Sequence, residues 1–232
     1  MGASDFGMMC GQMTVLSTCH SQLRSTARRL VEQTGYKGMS GTLVQTSVET
    51  VFHRLLLLGL TEADTIVDAG SGDGQLTSSM WLLACHNNSV PRLLGFELCE
   101  TNAQKSNDLV AWLYERLLTH NNPSVRQFIT GIDISRKPIF QQQDVADMAS
   151  LPPGTSVVTA FCVGWSRADL EKLCCLCQQQ ASLRFVVWIS YSRIGLQHQI
   201  HPGLPGRPPV YEHPVKMRGS GERYRAYYLP FH

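Results

Sequence analysis

Two carboxylates and a run of glycines carry the chemistry most directly legible in this chain. Thr65 to Leu76 reads TIVDAGSGDGQL. The β-branched pair Ile66 and Val67 marks a buried strand, Asp68 stands at its end, and Gly70, Ser71, Gly72 and Gly74 form a loop that enters a helix at Gln75. Glycine lets the backbone turn tightly there and lets a ligand approach where a side chain would block it. Leu93 to Glu97, LLGFE, reads as the following strand. Its last residue, Glu97, can accept hydrogen bonds from the two hydroxyls of a ribose. The pattern predicts a nucleoside-bearing cofactor.

Spacing and charge separate the cofactors. A dinucleotide fingerprint needs glycine at the first, third and sixth loop positions, and here the sixth is Gln75. Asp73 would also set like charge against a pyrophosphate at the amino end of the helix. S-adenosyl-L-methionine has no phosphate and presents a sulfonium and an ammonium, which suit a loop flanked by Asp68 and Asp73. It is the predicted cofactor, with Asp68, Gly70, Ser71, Gly72, Gly74, Gln75 and Glu97 as its contacts.

A sheet must hold these residues in place. Ser47 to Leu58 reads as a helix, followed by the strand of Ile66 and Val67, a helix from Gln75 to Ala84, the strand ending at Glu97, and a helix over Asn102 to Leu118 with leucines at helical spacing. Val157 to Phe161, Arg167 to Cys177 and Phe185 to Ile189 repeat strand, helix, strand. Such alternation implies parallel strands in a doubly wound α/β sheet. Arg207 to Pro214 is broken by prolines, and Tyr224 to Phe231 alternates like a strand able to enter antiparallel. Ahead of this unit, Thr14 to Gln33 reads as an amphipathic helix bearing Arg24, Arg28 and Arg29, followed by a glycine-rich stretch at 35–41. The domain reading is an N-terminal helical appendage over 1–42 and a catalytic domain over 43–232.

Composition bounds the rest. The 232 residues, 43% hydrophobic and 16% charged, suffice for one sizeable core. No apolar run is long enough to cross a bilayer, and the first residues lack the basic-then-apolar order of a signal peptide, so an intracellular protein of nucleus or cytoplasm is expected. The 8 cysteines are scattered through the elements and are expected to be reduced. Cys174 and Cys177, with His198 and His201, permit a zinc site on paper. The helical stripe of Leu170, Leu173, Cys174 and Cys177 makes core packing the preferred reading, and no metal is assigned. Residues 184–232 hold 7 Lys or Arg against 2 Asp or Glu, whereas residues 1–183 hold 13 against 16. The basic end, including Arg193, Arg207, Lys216, Arg218, Arg223 and Arg225, suits nucleic-acid phosphates.

Val67 to Gly74, VDAGSGDG, and Glu97 resemble motif I and the ribose-binding acid of the class I S-adenosylmethionine-dependent methyltransferases. The resemblance implies a Rossmann-like, mostly parallel seven-stranded sheet with helices on both faces and a C-terminal antiparallel hairpin. It also implies that Asp144 recognises the adenine amino group while Val145 packs on the ring. Within the class the chain is most similar to the Dot-type (disruptor of telomeric silencing) histone lysine methyltransferases. Gln45, Thr46 and Ser47 stand where that family has a segment ending in Thr-Ser, and WISYSRI at 188–194 stands at its Ser-Lys-Pro turn. RAYYL at 225–229 resembles its closing Tyr-Tyr-Leu strand. The resemblance assigns Gln45 and Thr46 to the cofactor and makes a basic protein, a histone or nucleosome, the expected substrate. An apolar aromatic channel would favour the neutral, nucleophilic form of a target lysine, and Phe161, Trp165, Tyr191 and Tyr227 are its candidates.

The chain departs from that family where Ala160 replaces the catalytic-loop asparagine and Gln45 replaces an acid. The stretches around Leu83 to Arg92 and His120 to Gln142 are longer than the family pattern. Three functions follow from these residues. One is a Dot-like protein lysine methyltransferase, another a methyltransferase of RNA or a small molecule, and the third a catalytically weak, cofactor-binding partner subunit.

Overall fold

The computed structural model describes residues 3–34, 43–162, 164–191, 209–217 and 224–231, without the side chains of 3–13, 30–34 and 191. Seven strands form one sheet: β1 (Thr65–Ala69), β2 (Arg92–Glu97), β3 (Ile139–Gln142), β4 (Thr155–Phe161), β5 (Phe185–Tyr191), β6 (Tyr211–Val215) and β7 (Tyr224–Pro230). Their order is β3-β2-β1-β4-β5-β7-β6. The first five strands run parallel, and β7 inserts antiparallel between β5 and β6. This is the expected seven-stranded, mostly parallel architecture with a closing antiparallel pair.

Alternation along the strands divides the core between the two faces. Ile66, Leu93, Val157 and Val187 face one side, with α1 (Ala3–Thr34), α2 (Gln45–Leu57), α3 (Gln75–His86), α4 (Glu100–Leu118) and α5 (Pro123–Thr130). Val67, Leu94, Val158 and Trp188 face the other, with α6 (Arg167–Gln179). β1 is buried along its whole length, as a central parallel strand covered on both faces requires. α6 starts at a capping box in which Ser166 and Asp169 each accept from the other's backbone N–H.

Four elements differ from the sequence expectation. α1 begins at Ala3 and not near Thr14. The long stretch after α4 folds into α5, capped by Asn122 with Pro123 in its first turn, and into β3, the sheet edge beside β2. Pro214, read as a breaker, lies inside β6. Its missing N–H is tolerated because β6 is the opposite edge and pairs only with β7. Leu173, Cys174 and Cys177 are buried in the α6 core, with Leu170 half-buried beside them. His198 and His201 lie outside the described residues. Among the described residues, no helix is long and apolar enough to cross a membrane.

Candidate active site

The site gathers at the carboxyl ends of β1 and β2, beside the topological switch between β1 and β4 where a parallel sheet leaves a crevice. Phe96 in β2 anchors the glycine loop, its carbonyl accepting from the N–H groups of Gly70 and Ser71, both at 2.9 Å. Gly70, Gly72 and Gly74 have φ of 72°, 59° and 71°, a left-handed backbone that accounts for glycine at all three. Gly95 stands opposite Asp68 in the β1–β2 register, and a Cβ there would run into Phe140 and Ser71. This close packing seats the loop against β2 and β3.

Glu97 closes the loop from the other side. Its Oε2 accepts from Gly72 N–H at 2.8 Å and its Oε1 from Cys99 N–H at 3.0 Å. Each carboxylate oxygen keeps capacity for a further donor. Asp68, 4% exposed, accepts from Thr77 Oγ1 at 2.5 Å and from Thr159 Oγ1 at 2.9 Å. Burial pushes its carboxyl up to about 6; the two hydroxyls oppose that shift, and the negative charges of Glu97 and Asp73 add to it. Neither threonine stood out in the sequence. Thr159 follows the apolar pair Val157 and Val158 in β4, and the strand register places it opposite Asp68.

The other candidates fall as follows. Gln75 donates from Nε2 to Asp73 Oδ2 at 2.6 Å, bracing the loop where α3 begins. Ser71 is buried. Gln45 is half-buried at the start of α2 and donates to Glu49, while Thr46 is exposed beside it. Ser47 ties this end of α2 to the hairpin, its Oγ accepting from Lys216 N–H at 2.8 Å. Asp144 caps the short turn Val145–Asp147, its Oδ1 accepting from Ala146 N–H at 2.8 Å. Val145 turns its side chain into the core of the α6 face.

The aromatic candidates do not form one wall. Phe161 packs on the α2 face, 5.7 Å from Tyr224 between ring centroids, whereas Tyr227 is buried on the α6 face with Trp188 and Ala160. The strand alternation that places Ala160 on one face sends Phe161 to the other. Tyr191 ends β5 with its side chain outside the described residues. Trp165 reaches the glycine loop itself: a Cβ on Gly70 would lie 2.8 Å from its Cζ2.

No protein-family model and no curated protein sequence matches the chain. Solved structures do match its fold. Protein 1320 of Thermoplasma acidophilum aligns with a TM-score of 0.55 at 11% identity, over 90% of this chain and 97% of that one. The magnesium protoporphyrin IX methyltransferase of Synechocystis, crystallised with S-adenosylmethionine bound, gives 0.52 at 15% identity, over 93% and 96%. A protein of Pyrococcus horikoshii proposed to be an RNA methyltransferase gives 0.53 at 12% identity, over 91% and 98%. At these identities the likeness is one of fold. The chain has the Rossmann-like fold of the class I methyltransferases.

Proposed function

We propose that this chain is an S-adenosyl-L-methionine-dependent methyltransferase acting on RNA or a small molecule. The carrying observation is the clasp between Glu97 and the glycine loop, which fixes a carboxylate at the tip of β2 with acceptor capacity left for a diol. The chemistry of the neighbouring donors and acceptors fits the same group. Asp68 and Asp73 suit an ammonium and a sulfonium, and the left-handed glycines leave bare backbone for close approach. Bound there, the donor supplies a methyl group already activated by its sulfonium. The chain's own part is to orient the two reactants and exclude water. Gln45 and Thr46 would line the site from α2, and Asp144 would meet the adenine from the turn it caps. The side chain of Val145 is committed to the core, so only its backbone is left for that role.

The substrate choice rests on the aromatic residues. A lysine channel walled by Phe161 and Tyr227 does not suit two rings on opposite faces of the sheet. The fold relatives whose names state a substrate carry those of a porphyrin and of RNA.

Incubation of the chain with radiolabelled donor and, in parallel, total RNA, a protein-free metabolite extract and nucleosomes tests this reading. Label is expected in RNA or in the metabolites. Glu97→Ala should weaken calorimetric binding of S-adenosylhomocysteine roughly tenfold or more, through lost charged hydrogen bonds. Label on nucleosomes alone would reverse the substrate assignment, and no cofactor binding by the wild-type chain would remove the enzyme assignment.

A further inference from the structure

Helix α1 packs against α3, the helix that the glycine loop opens. A crevice lies where α1 meets the entry to α2 and the first turns of α3. It is lined by His20, Leu23 and Arg24 of α1, by Leu43 and Gln45, and by Gln75 and Ser79. Its interior of about 20 Å³ admits one group of the size of a water or carboxylate, not a whole ligand.

Three features give the crevice a preference for an anion. Gln45 and Gln75 are the first residues of α2 and α3, so the partial positive charge of two helix amino ends borders it, although the Gln75 N–H itself already donates to Asp73 Oδ1. Arg24, exposed at its rim, brings a full positive charge. His20, only 1% exposed, lines the crevice with an Nε2 that has no hydrogen-bond partner among the described residues. Burial and the nearby Arg24 lower its pKa to about 4, so it is a neutral imidazole at pH 7, able to donate one N–H. On the far side of Gln75 the charge reverses: Gln75 itself donates to Asp73, and Asp68 lies at the end of β1. A positive pocket beside a negative loop is complementary to an α-amino acid zwitterion.

We propose that this crevice receives the α-carboxylate of the methyl donor's amino-acid end, with Arg24 as its charged partner and His20 as a second donor. α1 is then part of the donor site and not an appendage to it. The assignment rests on the proposed donor and adds to it a subsite and two residues.

Calorimetry with two ligands tests it: S-adenosylhomocysteine, which carries the amino-acid end, and 5′-methylthioadenosine, which shares the nucleoside thioether and lacks that end. Arg24→Gln is expected to weaken S-adenosylhomocysteine roughly tenfold, as for a lost charged hydrogen bond, and to leave methylthioadenosine unchanged. Arg24→Lys should fall between wild type and Arg24→Gln, because it keeps the charge without the fork. Undiminished affinity of Arg24→Gln for S-adenosylhomocysteine would overturn the assignment, and equal weakening of both ligands would show a structural role instead. If wild type binds neither ligand, the donor reading falls and this subsite with it.

Discussion

Asp68 is an acid kept out of water by its own fold, and that has a measurable cost. Its carboxyl titrates near 6 against an ordinary 3.8, chiefly because burial disfavours the charged form. With the folded value above the unfolded one, its contribution to stability is fully present below about 3.8 and is lost as pH rises through about 6. Near neutrality the folded chain therefore carries an ionised buried carboxylate at a cost on the order of 1–3 kcal/mol. Asp68→Asn should raise the thermal midpoint at pH 7.5, with the gain shrinking towards pH 4, while donor binding weakens. Stability given up for a charged ligand site is the usual trade. A midpoint at pH 7.5 no higher than that of wild type would show that Thr77 and Thr159 already offset the burial. The sequence made Asp68 and Glu97 legible because strand period and loop spacing are local signals. It left Thr159 unmarked, since its bond to Asp68 joins segments distant in the chain.

Elements were legible where period and caps agreed. β1, α3, β2 and α4 form within a few residues of where the sequence pattern puts them. β3 and β6 escaped because both are short edge strands, the one too polar and the other interrupted by Pro214. The turn between β4 and α6 is set by the capping box at Ser166, and it places Trp165 one residue earlier, against Gly70. A donor lying on the glycine loop must touch or displace that indole. The emission of the wild-type chain should shift when S-adenosylhomocysteine is added, and that of Trp165→Phe should not. Trp81 and Trp188 are buried in the core, and Trp112 is partly exposed on α4. An identical shift in both proteins would place the ligand away from Gly70.

For the whole molecule, the question is whether the chain folds as one unit or as a domain with a helix attached. Sequence composition suggested the latter, because a glycine-rich stretch at 35–41 separates α1 from everything that follows. The core suggests the former. Cys19, Leu23 and Ala27 of α1 are buried in the same apolar cluster as Val51, Leu82 and Leu113, and α1 packs against α3, α4 and α5. Leu23 is 1% exposed, and removing its side chain leaves a cavity between helices that also support the glycine loop. We expect Leu23→Ala to cost about 2–5 kcal/mol, the range for a buried leucine. Denaturant unfolding followed by helical circular dichroism and by tryptophan emission should show one coincident transition, shifted as a whole. If α1 were an appendage, the two probes would separate: part of the helical signal would be lost first, and the tryptophan transition would keep its wild-type midpoint. Coincidence of the two curves would tie the integrity of the cofactor face to the burial of α1.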